Sequence, residues 1–299
     1  MTTSEPDHDA SAPVAAIDVG TNTTRLLVAR ARRGRVEPLA SGSAMTAVGA
    51  GLVPGGRIGE DALDLVGATV SQMAAEARRL GARRIVVACT APARTAANAG
   101  DLLERLRSAS GVVPRILSGA EEAELAFLGM VAAGAPDPLL AVDLGGGSLE
   151  LMGGEGGRLR WATSIPIGVR VLTERFAPSD PPAIDTLEPM IAAVRELVDA
   201  VAMPVSAREA VATGGSAAAL ATLAGSDRLD REALLRAVER LAGGSAEDLA
   251  EATGLEPARV RLSLAGAAAL EAVRRSFDLG AVVVSRSGLR EGLVLEAVG

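Results

Sequence analysis

Lysine and tyrosine are absent from this chain, and all thirty of its basic residues are arginine. Three Phe and one Trp make up the aromatic content, too little for the base-stacking platform that single-strand nucleic-acid binders use. Cysteine occurs once, so no disulfide forms within the chain. Cys89 closes the apolar run that starts at Arg84 and reads as a buried strand thiol. The one histidine, His8, lies in the polar stretch MTTSEPDHDASA at 1–12, which reads as disordered. A histidine nucleophile, base or metal ligand is thereby excluded. That stretch also lacks the basic start and apolar core of a signal peptide, and no later run approaches the roughly 18 apolar residues of a membrane span. A cytoplasmic location is expected. Positive charge is scarce as well: a net charge of −7 argues against nucleic acid and membrane surfaces as partners. An anion site must therefore be local, and its chemistry falls to carboxylates, hydroxyls, backbone and Arg, whose fork suits phosphate.

The 299 residues, 48% of them hydrophobic, suffice for two medium domains. Strands are predicted at 14–19, 24–30 and 35–41, then a helix at 61–80, with Leu65, Ala68, Met73, Ala77 and Leu80 at helical spacing and Gly81 as its stop. A strand at 84–89, a helix at about 95–108, a strand at 112–117 and a helix from Gly119 complete a βββαβαβα order. The order begins again at Leu139, with strands at 139–143, 149–153 and 158–164. The two openings align without a gap, residues 16–26 over 141–151, which marks an internal duplication. Helices follow at about 183–202, 215–224, 230–242, 246–252, 259–277 and 289–298, with strands at 209–213 and 281–285. The fold class is α/β. The expected domains are 13–124 and 125–299, with the last helix packing back on the first. Two similar domains, each opening with a phosphate-sized turn, imply a central cleft.

Candidate residues follow from this layout. The turn Gly145-Gly146-Gly147-Ser148 lets backbone N–H groups converge on an anion where no Cβ blocks approach, with Ser148 adding a hydroxyl. Gly20-Thr21-Asn22-Thr23 is its polar counterpart. A tight second turn sets Asp143 opposite Glu150, about 5 Å away on the neighbouring strand. Like charges so placed call for a cation, and Mg²⁺ takes few carboxylates plus waters and phosphates. In the first copy Asp18 faces Arg25 and is expected to neutralise itself. Ser118 and Glu121 fit a capping box, which gives Glu121 a structural task. Glu122 heads a stripe with Ala126, Gly129 and Ala133 that is expected to face the cleft, and is the candidate base. The loop after Cys89, Thr90-Ala91-Pro92-Ala93-Arg94, offers Arg94 as a phosphate clamp. Gly214-Gly215-Ser216 follows a strand and opens a helix, a further anion site. Arg78, Arg79, Arg236 and Arg240 read as solvated surface.

Together these segments resemble the exopolyphosphatase / guanosine pentaphosphate phosphohydrolase family of the actin, sugar kinase and heat-shock chaperone superfamily. The resemblance is carried by AAIDVGTNTTRLLVA at 15–29, ACTAPARTAAN at 88–98, ILSGAEEAELAFLG at 116–129, AVDLGGGSLEL at 141–151, SIPIGVRVLTE at 164–174, ATGGSAAALA at 212–221 and GLREGLVLE at 288–296. It implies two RNase H-like, actin-like ATPase domains and release of terminal phosphate from inorganic polyphosphate or guanosine pentaphosphate. Mg²⁺ is the implied cofactor, with Mn²⁺ as the alternative, and a homodimer is left open. By motif position the catalytic glutamate falls on Glu122, the metal-associated acids on Asp143 and Glu150, and the phosphate-contacting arginine on Arg94. Ala47-Val48-Gly49 departs from the family's Arg-Leu-Gly, and Arg261 stands where Asp is usual. The chain ends after the two core domains, from which short phosphate chains or a nucleotide are expected as substrates. A sugar or acetate kinase, and a polyphosphate or alarmone sensor without turnover, are the competing readings.

Overall fold

The computed structural model describes residues 12–299 apart from Pro54 and Pro204. The N-terminal stretch with His8 lies outside the described residues. The chain divides into two units, one running to Leu125 and taking in Leu289–Gly299, the other Ala126–Gly288.

Unit 1 opens with β1 (Val14–Val19), β2 (Thr23–Arg32) and β3 (Arg35–Met45). There follow α1 (Glu60–Arg79), β4 (Arg84–Cys89), α2 (Ala91–Thr95), α3 (Ala99–Ser110), β5 (Arg115–Ile116) and α4 (Gly119–Ala132), which crosses the boundary between the units. The sheet order is β3-β2-β1-β4-β5, with β1 antiparallel to β2 and parallel to β4. β1 is paired on both edges and buried along its whole length, which is why VAAIDV is apolar except at Asp18.

Three local readings need correction here. In α1 the buried face is Leu63, Val66, Val70, Met73 and Ala77, while Leu65 is 49% exposed. Apolar residues are spread around this helix, so spacing alone selects a stripe turned from the true one. The helix expected at 95–108 is broken into α2 and α3, because Asn98 leaves helical geometry to bracket the backbone of Ile58. Its Oδ1 accepts from Ile58 N at 2.8 Å, and its Nδ2 donates to Ile58 O at 3.1 Å. The strand expected at 112–117 shrinks to two residues against Ala88 and Cys89.

Unit 2 contains β6 (Leu139–Leu144), β7 (Leu149–Glu155), β8 (Arg158–Ile165), α5 (Val169–Phe176), a 3-10 turn (Ile184–Thr186), α6 (Leu187–Val198) and β9 (Glu209–Thr213). It continues through α7 (Gly215–Ala224), β10 (Arg228–Leu229), α8 (Arg231–Ala242), α9 (Ala246–Thr253), α10 (Pro257–Arg261), α11 (Ser263–Ser276) and β11 (Ala281–Val284). The sheet order is β10-β11-β9-β6-β7-β8. Apart from the short β10 this repeats unit 1: a central strand, a two-hairpin meander on one side and two parallel strands on the other. The duplication seen in residues 16–26 and 141–151 is thus a duplication of sheet topology. Helix α5 and strand β10 were not foreseen, and the helix expected at 259–277 is divided at Leu262. Each sheet has its own apolar core. Ile17, Leu26, Val66, Val87 and Leu102 belong to the first, and Val142, Leu151, Leu220, Ala268 and Val282 to the second.

The last helix, α12 (Leu289–Val298), belongs to unit 1. Arg290 Nη1 donates to Leu26 O at 3.1 Å, Arg84 Nη1 donates to Ala297 O at 2.7 Å, and Arg115 pairs with Glu296. Gly292 permits the close approach: a Cβ there would lie 2.0 Å from Leu125 O.

Candidate functional site

The two glycine turns are built alike. Gly145 N donates to Ser148 O at 3.0 Å, as Gly20 N does to Thr23 O at 3.1 Å. In each, a later segment of the same unit grips the turn by its carbonyls. Val169 N donates to Gly145 O (3.0 Å) and Arg170 N to Gly146 O (2.9 Å), so the first turn of α5 is spent on holding the second hairpin. In unit 1, Thr46 N and Ala47 N donate to Asn22 O (3.0 and 2.9 Å), and Gly49 N to Thr21 O (2.9 Å). The Ala47-Val48-Gly49 departure therefore keeps a backbone task that needs no long side chain.

With the carbonyls held, the N–H groups of Gly146, Gly147 and Ser148 donate to no other group among the described residues. A row of unpaired backbone donors is what an anion nest requires. Gly168, whose role the sequence did not reveal, seats α5 against the turn: a Cβ at 168 would lie 2.4 Å from Gly146 C and 2.5 Å from Gly147 N. Gly168→Ala must therefore displace the turn, and overpacking of this kind costs about 1–3 kcal/mol. A lowered Tm is the expected result, read by thermal unfolding. Gly100→Ala, in open space on α3, serves as the control.

Asp143 faces Glu150 in the β6–β7 register, as the tight turn requires. Glu150 is 7% exposed, and its Oε1 accepts from the Ser164 hydroxyl on β8 at 2.8 Å. Asp143 lies over the start of α7, where Gly214 holds φ +106 and a Cβ would fall 2.7 Å from Leu144 O and 3.2 Å from Asp143 Oδ1. Gly214 thus makes room for the carboxylate, and Gly215 opens α7. Ser216 is 6% exposed and packs toward Gly266 of α11. Among the described residues no group of three or more His, Cys, Asp and Glu gathers as a metal cluster. The facing pair suits a hard cation that completes its shell with water and phosphate oxygens.

The first copy differs. Asp18 does face Arg25, but Asp18 Oδ1 is buried without a hydrogen-bond partner and no ion pair joins the two. Burial pushes the Asp18 carboxyl up, against the opposing pull of Arg25 and Arg290. The expected self-neutralisation fails because register fixes where Cβ atoms sit, not where a long guanidinium ends. In the turn itself the Thr23 hydroxyl is buried and donates to Met45 Sδ at 3.3 Å, and Thr21 packs its methyl against Gly49. Cys89 is buried, with its thiol pushed up to about 12 by burial and by Asp18, which agrees with an inert strand thiol.

The adjacent glutamates are separated as the capping argument requires. Glu121 Oε2 accepts from Ser118 N and Ser118 Oγ, both at 2.8 Å, and Glu121 N donates to Ser118 Oγ at 3.2 Å. The backbone and hydroxyl bonds from Ser118 hold the Glu121 carboxyl below its usual range. Glu122 takes Arg94 Nη1 at 2.8 Å, in an ion pair whose side chains are 16% and 27% exposed. Arg94 sits in the helical turn α2 instead of a loop. Of the Glu122 stripe, Ala126 and Gly129 are buried, while Ala133 is exposed beyond the end of α4. Arg261 joins a surface network with Asp180 (3.3 Å) and Glu247 (2.6 Å). Of the four arginines read as surface, Arg79 pairs with Glu76, whereas Arg240 donates to Leu223 O and Arg78 to Ser110 O.

A duplicated sheet of this topology defines a two-unit α/β protein of the actin-like ATPase fold. Comparison with known proteins narrows the class. Residues 27–299 match the Ppx/GppA phosphatase family. Exopolyphosphatase 1 of Mycobacterium leprae is 31% identical over 93% of this chain and 87% of its own. Exopolyphosphatase 1 of Mycobacterium tuberculosis H37Rv is equally similar, with 86% of its length covered. Among solved structures, the Aquifex aeolicus member of the Ppx/GppA family superposes with a TM-score of 0.79 at 25% identity, covering 96% of this chain and 97% of that one. The chain belongs to the Ppx/GppA phosphatase family and is a phosphoanhydride hydrolase of the exopolyphosphatase type.

Proposed function

We propose that the protein releases terminal phosphate from inorganic polyphosphate by Mg²⁺-assisted attack of water. The observation that carries this reading is the nest of Gly146, Gly147 and Ser148 N–H groups beside the facing carboxylates Asp143 and Glu150. In unit 2 the N–H groups of Gly146, Gly147 and Ser148 donate to phosphate oxygens, and Asp143 and Glu150 would hold the cation. A cation held there would neutralise charge that builds on the phosphoryl oxygens. In unit 1 the Glu122 carboxylate orients a water and takes its proton, and Arg94 contacts phosphate. Gly20–Thr23, held by Thr46, Ala47 and Gly49, and Gly214–Ser216 at the start of α7 are the remaining binding elements of this reading. No histidine or exposed cysteine offers a covalent nucleophile among the described residues, so direct attack by water is the chemistry these groups suit.

Phosphate release from tripolyphosphate, long polyphosphate and guanosine pentaphosphate, each with Mg²⁺ and with EDTA, tests the reading. Metal-dependent release from polyphosphate is expected. Release from guanosine pentaphosphate alone would move the activity to the alarmone, and binding of all three without release would make the protein a sensor.

A further inference from the structure

Arg94 carries more hydrogen-bonding capacity than one phosphate contact needs. Its Nη1 donates to Leu117 O at 2.7 Å and to Glu122 Oε2 at 2.8 Å, which uses both hydrogens on that nitrogen. Leu117 is fully buried, and its own N–H donates to Cys89 O at 2.9 Å, so the carbonyl that Arg94 grips is fixed to the end of β4. Nε and Nη2 make no hydrogen bond among the described residues, and the side chain remains 27% exposed. That Nε/Nη2 edge is the one a guanidinium presents side-on to two oxygens of a phosphate. The same planar group is therefore anchored to the backbone, bonded to the carboxylate and without a hydrogen bond along its remaining edge.

We propose that Arg94 couples phosphate occupancy to the placement of the base: its Nε/Nη2 edge holds the terminal phosphate while its Nη1 steers Glu122. The inference rests on the reading of Glu122 as the base. A rigid fork transmits position from one edge to the other, because the guanidinium cannot turn toward a phosphate without moving Nη1, and the Leu117 carbonyl limits that turn. Arg94 is in this sense a positioning residue as well as a binding one. An ammonium at the same place keeps the charge but has a single nitrogen, which cannot hold Leu117 O, Glu122 and phosphate in one plane.

A double-mutant cycle tests the coupling. Steady-state kcat and KM for tripolyphosphate with Mg²⁺ are measured for the wild type, Arg94→Gln, Glu122→Gln and the double variant, with Arg94→Lys alongside and Tm confirming that each folds. Arg94→Gln is expected to raise KM and to lower kcat by roughly 10²-fold. In the Glu122→Gln background the same change should raise KM as before, yet alter kcat by less than about threefold, because the group it steers no longer abstracts a proton. Arg94→Lys should recover much of KM and little of kcat. If Glu122→Gln is slow and the two kcat factors multiply, the base stands and the coupling is overturned. If Glu122→Gln turns over like the wild type, the base assignment falls and the coupling falls with it. Should Arg94→Gln not fold, Arg94→Lys alone decides, since full recovery of kcat by lysine also defeats the coupling.

Discussion

Glu122→Gln is expected to lower kcat by about 10²–10⁴-fold, the usual contribution of a general base, while tripolyphosphate binding persists or tightens as a negative charge near phosphate is removed. Glu121→Gln should behave in the opposite way. The Ser118–Glu121 box is intact, so its weakening costs on the order of 1 kcal/mol at most and leaves turnover close to wild type. The two residues adjoin in sequence and sit on the same first turn of α4, yet one is spent on Ser118 and the other on Arg94. Measuring kcat and Tm for both variants on one substrate separates the roles. An inactive Glu121→Gln beside an active Glu122→Gln would require the mechanism to be rebuilt on Glu121.

The second large effect concerns the facing carboxylates. Asp143→Asn and Glu150→Gln each remove one charge from the β6–β7 pair, and the Mg²⁺ concentration for half-maximal activity should rise by about tenfold or more, at least the loss expected when an outer-shell partner is removed. Two like charges held on neighbouring strands repel, so the metal-free variants should melt higher than the wild type where relief of that repulsion outweighs lost hydrogen bonds. The wild type should gain Tm on adding Mg²⁺ and the variants should not. This readout is independent of turnover. Mg²⁺ titrations that superimpose for all three proteins would remove the pair as the cation site.

Much of this is legible in the amino-acid sequence. The gapless alignment of residues 16–26 with 141–151 already required two similar sheets, because a strand–turn–strand unit with identical apolar spacing has one way to pair. The Asp143–Glu150 and Asp18–Arg25 registers followed from turn length alone. The capping box could be read from Ser118 and Glu121, because it is set by four consecutive residues. Other parts were hidden for identifiable reasons. The α1 stripe was misread because a helix with apolar residues around its circumference does not say which of them meets the sheet. The break before α3 depends on Asn98 reaching Ile58, forty residues earlier, which no local window contains. Helix α5 begins at Val169 directly after Gly168, with no side-chain cap to mark its start.

The sequence by itself determined what depends on neighbours in the chain: strand periodicity, hairpin register, the cap of α4, and a family resemblance carried by short motifs in order. Tertiary structure alone decided what depends on where chain ends and side chains arrive. It seated Gly168 against the Gly146–Gly147 peptide, left Asp18 buried beside two arginines without a bond to either, and joined Arg94 to Glu122. The Gly168 and Arg94 contacts join segments far apart in sequence, and the lone Asp18 carboxyl reflects where two guanidinium groups end, which no local pattern encodes.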